Sequence, residues 1–110
     1  MSFELQIGRD RQGVLRAYAN APFEVLGGYL EQDIQARVAC AEEVLTICSF
    51  IVTVGGKWTG TGNAHTVTIS ATGVRIENEF VEDASGICEM SLDDFRAAVE
   101  AWLRAVSAPW

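Results

Sequence analysis

The sequence predicts an α+β domain in which an antiparallel sheet of about five strands packs against two helices. Three observations predict this class: alternating apolar residues near the N-terminus, helical apolar spacing in the middle, and a strand hairpin before a capped amphipathic helix at the end. The expected order is a three-strand meander, a long helix, a β-hairpin and a C-terminal helix. A length of 110 residues fits one domain spanning residues 1–110.

The meander is predicted from three short segments separated by turn residues. Phe3–Ile7 alternates with period two, and Val14–Ala19 returns after the turn at Gly8–Gly13. Phe23–Leu30 is predicted as the third strand. Gly27 and Gly28 weaken that strand and indicate a bulge or a close backbone contact.

The long helix is predicted from Asp33 to Val54, because its apolar residues recur at spacings of three and four. Asp33 is the candidate N-cap, and Gly55-Gly56 is the stop signal. The β-branched content of Val44–Val54 is also compatible with a buried strand. One helix is preferred, since no turn signal divides the segment.

The hairpin follows a Gly/Thr-rich loop that is predicted over residues 57–63. Ala64–Ser70 alternates cleanly, and Ala71–Gly73 supplies the turn to the next strand. The side chains expected to point inward from that second strand are Val74, Ile76 and Phe80.

The C-terminal helix has the clearest local signature. Ser91 is an N-cap residue, and Asp94 stands three positions later as in a capping box. Met90 and Phe95 occupy the positions of a hydrophobic staple, and Pro109 follows the end of the helix.

The charge is concentrated in one segment. The chain carries 15 acidic and 8 basic residues, for a net charge of −7. The segment Ile76–Phe95 contains seven acidic residues and no basic one, so it accounts for the whole imbalance. Such acidity argues against direct nucleic-acid binding, which needs clustered Lys and Arg, and favours a basic protein partner. A solvated acidic surface that keeps the protein soluble is the alternative interpretation.

The apolar stretches are too short to span a bilayer. The longest, Val44–Val54, has 11 residues, whereas a membrane-spanning helix needs about 20. Residues 1–10 contain no basic start followed by an apolar run. The three cysteines are odd in number, and Cys40 and Cys48 lie too far apart on one helix to form a disulfide. We therefore expect a soluble cytoplasmic protein with reduced thiols.

Residues that would carry catalysis are sparse. Gly55–Thr59 resembles a phosphate-binding loop but lacks its first glycine, and it follows a helix rather than a strand. His65 is the only histidine, and its alternation pattern places it at the margin of the sheet. No paired short Cys or His spacing indicates zinc. We expect no catalytic residue, no cofactor and no metal, so the chain is interpreted as a binding protein and not as an enzyme.

Three segments together resemble a known class of proteins. They are Gly62–Ile69, Gly73–Asn78 and the run from Met90 to Leu103 with its Ser-Leu-x-x-Phe start. This combination is similar to bacterial immunity proteins, which neutralise the toxins of contact-dependent growth inhibition and related polymorphic toxin systems. The resemblance covers roughly the C-terminal half of the chain. It implies a cognate toxin domain as the partner, and a nuclease toxin would present a basic, phosphate-binding cleft.

The resemblance and the charge together define an expected partner-binding site. Its acidic members carry the electrostatic attraction, and Trp58 is the candidate aromatic anchor. The alternative for Trp58 is a ring folded over the edge of the sheet. The predicted partner-binding residues are Trp58, Glu77, Glu79, Glu82, Asp83 and Glu89.

Two further classes of binding protein are compatible with the same sequence. A secretion chaperone is also small, acidic and α+β, and would bind an unfolded segment of a secreted effector as a stable dimer. A cytosolic regulatory binding protein would have no toxin partner. The state of the bound partner, folded or unfolded, separates the immunity protein from the chaperone.

Overall fold

The computed structural model describes residues 2–108, so Pro109, which the sequence places after the last helix, lies outside them. The predicted α+β class is confirmed within this range, and the strands form two antiparallel sheets. A π-helical turn at Leu30–Ile34 and a 3-10 turn at Ala84–Gly86 complete the architecture. The strands and α-helices, in chain order, are β1 Leu5–Arg9, β2 Leu15–Ala19, α1 Glu24–Tyr29, α2 Val38–Val54, β3 Lys57–Thr61, β4 His65–Ser70, β5 Gly73–Asn78, β6 Ile87–Met90 and α3 Leu92–Ser107.

The N-terminal region is a hairpin followed by a helix, not a three-strand meander. β1 and β2 pair from Leu5 with Ala19 to Arg9 with Leu15. The third strand predicted over Phe23–Leu30 is wrong, because this segment forms α1 and enters the π-helical turn. Gly27 marks a close approach of α1 to β2. A Cβ at position 27 would lie 2.5 Å from the carbonyl oxygen of Ala17, so only glycine lets the helix reach the strand.

The long helix exists but begins later than the sequence predicts. α2 starts at Val38, after Gln35 turns the chain with a φ of 58°. Asp33 is therefore not its N-cap. The helix continues unbroken to Val54. Gly55 ends it with a φ of 85°, and its N–H donates a hydrogen bond to the carbonyl of Ile51 at 2.8 Å. The predicted stop signal is confirmed, and the strand alternative for residues 44–54 is excluded.

The second sheet has four strands in the order β3-β4-β5-β6. The β4–β5 hairpin is present as predicted, with Ser70 opposite Gly73 across a two-residue turn. The loop predicted over residues 57–63 is instead mostly β3, and β6 adds a strand that the sequence did not reveal. With the hairpin of β1 and β2, the described chain has six strands in two sheets, against the single sheet of about five predicted.

One face of this four-stranded sheet carries most of the core. Alternate residues of β4, β5 and β6 are buried there against the helices: His65, Val67, Ile69, Val74, Ile76, Cys88 and Met90. We call this side the inner face. The opposite side, the outer face, is polar and solvated. The hydroxyl groups of Thr59 and Thr68 form one cross-strand hydrogen bond on it, and those of Thr61 and Thr66 form another.

The C-terminal helix closes the inner face. The predicted cap is confirmed, because the Ser91 hydroxyl oxygen accepts the Asp94 N–H at 3.0 Å. The buried stripe of α3 includes Phe95, Val99 and Trp102. The indole N–H of Trp102 donates to the carbonyl of Gln35 at 2.7 Å, which fixes α3 against the turn that precedes α2.

Candidate functional site

The acidic loop that follows β5 exposes a large aromatic side chain at its tip. The side chain of Asn78 accepts the N–H of Phe80 at 2.9 Å, and this turn ends the strand alternation. The inward position predicted for Phe80 is therefore wrong: 78% of this residue is exposed, more than any other large hydrophobic residue of the described chain. Glu79, on the same turn, donates its N–H to the carbonyl of Ala64 at 2.8 Å. The base of the loop is thus tied to the start of β4.

The far end of the loop is fixed by Asp83. Its carboxylate accepts the backbone N–H of Ser85 at 2.9 Å and also bonds the Ser85 hydroxyl group. These two donors hold the pKa of Asp83 below its usual value, the hydroxyl bond contributing most. The side chain of Val81 packs over Gly86, where a Cβ would lie 2.7 Å away. Glu79, Phe80 and Glu82 are therefore carried on a loop whose two ends are anchored.

Glu77 and Glu89 lie on neighbouring strands at the outer face, on either side of Arg75. The guanidinium Nε of Arg75 is 2.6 Å from a Glu77 carboxylate oxygen, and a terminal guanidinium nitrogen is 4.0 Å from Glu89. The hydrogen bond to Glu77 is the main reason that the pKa of Arg75 is raised. The single positive charge of Arg75 therefore compensates one of the two negative charges of Glu77 and Glu89.

The remaining predicted site residue, Trp58, lies on β3 and not in a loop. It pairs with Ile69, so it shares the inner face, whereas Glu77 pairs with Thr66 on the outer face. Its indole lies over Gly60, where a Cβ would be 2.3 Å from the ring. Trp58 also sits near the end of the sheet opposite to the acidic loop. Its position is that of a ring folded over the sheet edge, the alternative that the sequence left open.

The structure thus brings together only part of the predicted site. Glu79, Glu82 and Asp83 share one loop, and Glu77 lies at the end of the strand that leads into it. Glu89 lies on the same outer face, while Trp58 belongs to a different surface. The aromatic residue next to the acidic side chains is Phe80. The Asn78–Phe80 spacing of an Asx turn was the sequence signal for its exposure.

A buried ion-pair geometry joins Asp33 and His65. One Asp33 carboxylate oxygen is 2.8 Å from Nδ1 of His65. The same carboxylate accepts the backbone N–H of His65 at 3.1 Å and that of Ala64 at 3.2 Å. Sequence reasoning missed this contact because Asp33 was interpreted as a helix cap. The carboxylate fixes the turn between β3 and β4 to the π-helical turn.

The geometry of this pair is that of a structural contact. Nε2 of His65, the nitrogen that a general base would use, is buried and has no hydrogen-bond partner within residues 2–108. A Cβ added at Gly28 would lie 3.5 Å from it, so α1 covers this side of the ring. A general base must reach a substrate proton within about 3 Å. The ring as positioned presents no accessible basic nitrogen.

Two of the three thiols are also buried, and all three are free. Burial raises the pKa of both Cys48 and Cys88 to about 11, so neither is a thiolate at neutral pH. Cys40 is partly exposed on α2. No group of three or more His, Cys, Asp or Glu side chains within residues 2–108 is arranged to hold a metal ion.

No helix within residues 2–108 combines the length and the apolar character needed to cross a bilayer. Comparisons of the chain with protein-family models, with curated proteins and with solved structures found no match.

Proposed function

We propose that this chain is an immunity-type binding protein that neutralises a cognate toxin domain in the cytoplasm through the acidic loop 79–83. The observation that supports this proposal is the exposure of Phe80 between carboxylates. Burying a Phe side chain stabilises a protein or a complex by about 1.5–3 kcal/mol. Because Phe80 is mostly exposed, most of this free energy is available to the binding of a partner. Exposed aromatic residues surrounded by polar groups are typical centres of protein interfaces.

The charges next to Phe80 favour a basic partner. No Lys or Arg of the described chain forms an ion pair with Glu79, Glu82 or Asp83, in contrast to Glu77. These carboxylates are therefore available to an incoming positive surface. A nuclease toxin would offer such a surface at its phosphate-binding cleft. The carboxylates would speed association, and burial of Phe80 would slow dissociation.

The first experiment is affinity capture from the native cell lysate, with the wild-type chain and two variants as bait. Phe80→Ala removes the exposed ring of the loop. Tyr18→Ala is the matched control, because Tyr18 on β2 is 65% exposed but lies outside the acidic loop. The proposal predicts a folded basic toxin domain that is retained by wild type and by Tyr18→Ala and is lost with Phe80→Ala.

The captured toxin domain is then assayed for its activity with and without the chain. Loss of activity in the presence of a stoichiometric amount of the chain supports neutralisation. An unfolded segment of a secreted effector in place of a folded domain would support the secretion chaperone. A folded partner without toxic activity would support the cytosolic regulatory protein, and either outcome would overturn the immunity proposal.

The electrostatic part of the proposal has its own test. Glu79→Lys combined with Glu82→Lys reverses two unpaired charges and leaves Asp83 in place to hold its turn. We expect slower association with the partner, by tenfold or more at low salt, and a weaker dependence on salt concentration. An unchanged association rate would show that the loop charges do not guide the encounter.

A further inference from the structure

A cavity of about 230 Å³ lies on the inner face of the sheet, where β3 passes α2 and the π-helical turn. It exists because of the residues of β3 that face inward. Trp58 is followed at alternate positions by Gly60 and Gly62, which pair with Val67 and His65 of β4. Neither glycine has a side chain to fill the space beside β4, so this part of the inner face stays open.

The walls of this cavity are mostly apolar. The indole of Trp58 lies over Gly60 and closes the side of β3, while aliphatic side chains come from the π-helical turn, α2 and β4. The apolar residues that line the cavity are Ile34, Val44, Ile47, Trp58 and Val67. An engineered cavity of about 150 Å³ with such walls stays dry and binds benzene. The larger cavity of this protein therefore has room for one aromatic ring with a substituent.

One polar side chain of the cavity has no partner in the protein. Tyr29 is 6% exposed, and its hydroxyl group forms no hydrogen bond within residues 2–108. In the same range, the buried polar atoms that lack both a partner and contact with solvent are Nε2 of His65 and Nε of Arg96. The Tyr29 hydroxyl group is not one of them, so it borders open space, and Tyr29 lines this cavity. A bound molecule that hydrogen-bonds to this hydroxyl group would satisfy it.

The Tyr29 hydroxyl group is a hydrogen-bond donor at neutral pH. Burial raises the pKa of Tyr29, and the nearby Cys40 and Asp33 raise it further. Cys40 and Asp33 also line the cavity, which places the hydroxyl group on the cavity side of the ring. A molecule in the cavity can therefore receive a hydrogen bond from Tyr29 in surroundings that are otherwise mostly apolar.

The charged residues around the cavity favour a neutral ligand. Asp33, Arg37 and Glu43 line it. The carboxylate of Asp33 already accepts hydrogen bonds from His65, and the guanidinium group of Arg37 donates to the backbone carbonyls of Asp33 and Ile34. An anion in the cavity would be repelled by the carboxylates of Asp33 and Glu43, and a cation would be repelled by Arg37. A neutral molecule avoids both repulsions.

We propose that this cavity binds a small neutral aromatic molecule with one hydrogen-bonding group, of the chemical class of the phenols. The ring of the ligand packs against Val44, Ile47 and the indole of Trp58. Its oxygen accepts the hydrogen bond that the Tyr29 hydroxyl group donates. An aromatic ring is favoured over an aliphatic group because Tyr29 and Trp58 offer it edge-to-face or offset contacts. No residue of the acidic loop lines the cavity, so this site is separate from the proposed toxin-binding surface.

Titration of the purified chain, followed by two-dimensional ¹⁵N NMR, tests this site without any toxin. The four ligands used as probes share one benzene ring and differ in the substituent: phenol, toluene, benzoate and benzylammonium. We expect phenol to bind with a dissociation constant of about 1 mM or below. The signals that shift should belong to residues of the cavity, including the backbone amides of Gly60 and Gly62. Benzoate and benzylammonium should each bind at least about tenfold more weakly than phenol, because each brings a charge into the cavity.

Two substitutions of the same type show whether the Tyr29 hydroxyl group recognises the ligand. Tyr29→Phe removes this hydroxyl group alone and, since the group has no partner in the protein, should leave the unfolding midpoint unchanged. Tyr18→Phe is the matched control, because Tyr18 is exposed on β2 and does not line the cavity. We expect phenol to bind about tenfold more weakly to Tyr29→Phe, the effect of losing one hydrogen bond, and toluene to bind as it does to wild type. Tyr18→Phe should bind both ligands as wild type does.

Three outcomes would overturn the proposal. The first is a wild-type chain that does not bind phenol at ten times the expected dissociation constant, or whose shifted signals lie away from the cavity. The second is tighter binding of benzoate or benzylammonium than of phenol, which would define a site for an ion. The third is a phenol affinity that Tyr29→Phe leaves unchanged, or that Tyr18→Phe lowers equally. The comparison of the four ligands on wild type decides the first two outcomes without any variant.

Discussion

Replacing Asp33 with asparagine removes one charge from the most enclosed polar cluster of the described chain. The carboxylate accepts three hydrogen bonds, from two backbone N–H groups and from Nδ1 of His65. The amide of asparagine keeps one oxygen but turns an N–H₂ group towards these donors. At least one buried donor is then left without a partner, which costs about 1–3 kcal/mol, and the surviving bonds lose their charge assistance.

We expect Asp33→Asn to lower the free energy of unfolding by about 1–3 kcal/mol, the cost of the buried donor that loses its partner. For a chain of this size the melting temperature falls by about 4 °C per kcal/mol, hence by about 4–12 °C. Urea denaturation followed by circular dichroism measures the change. Asp93→Asn, the same substitution at an exposed carboxylate in the first turn of α3, should cost less than about 1 kcal/mol. A loss below 1 kcal/mol for Asp33→Asn would refute the structural role assigned to this pair.

Three further predictions concern the fold and the thiols. Gly27→Ala should destabilise the protein by about 1–3 kcal/mol, because the new Cβ would lie 2.5 Å from the carbonyl oxygen of Ala17. Gly28→Ala is the control: its Cβ would lie 3.5 Å from His65, so it should be neutral or stabilise α1 by up to about 1 kcal/mol. Equal effects of the two substitutions in urea denaturation would contradict the close approach of α1 to β2. Ser91→Ala should cost about 1 kcal/mol through loss of the α3 cap, and Ser91→Asp should restore most of it; an unchanged unfolding midpoint for Ser91→Ala would argue against the cap. At neutral pH a thiol reagent should label Cys40 well before Cys48 and Cys88, because their pKa values of about 11 keep these two thiols protonated. The labelling rates of Cys48 and Cys88 should rise as the pH approaches 11. Three equal labelling rates at about pH 7 would contradict the burial of Cys48 and Cys88.

The fold elements that the sequence predicted well are those with strong local signals. The Ser91 cap, the Gly55 stop and the β4–β5 alternation each depend on residues within a few positions of one another. Elements that depend on tertiary contacts were predicted wrongly. Phe23–Leu30 was predicted as a strand that its two glycines weaken, but it forms a helix. The close backbone contact that the glycines indicated exists at Gly27, where α1 packs against β2. Gln35, with its positive φ, is not a typical turn residue, so nothing in the sequence separated Asp33 from α2.

The candidate site was predicted to a similar degree. The acidic segment Ile76–Phe95, which contains the acidic loop, could be found from the sequence because it has seven acidic residues and no basic one. The sequence could not show which of these acids are paired with a basic residue and which are not. The contacts of Glu77 and Glu89 with Arg75 depend on the register of the strands. Trp58 and Phe80 exchanged their expected positions. Trp58 is partly covered because residues 57–61 form β3 and not a loop. Phe80 is exposed because the Asx turn at Asn78 ends the alternation of β5.

The most direct test of the proposed function is the affinity of the captured partner for three purified chains, wild type, Phe80→Ala and Tyr18→Ala, measured by calorimetry. Phe80 contributes little to the fold, so Phe80→Ala should unfold within about 0.5 kcal/mol of wild type. If Phe80 is the centre of the interface, its removal costs about 2 kcal/mol of binding, which is about a 30-fold weaker affinity, while Tyr18→Ala binds as wild type does. Equal affinities for all three chains would contradict the account, because the exposed ring of the acidic loop would then have no part in binding.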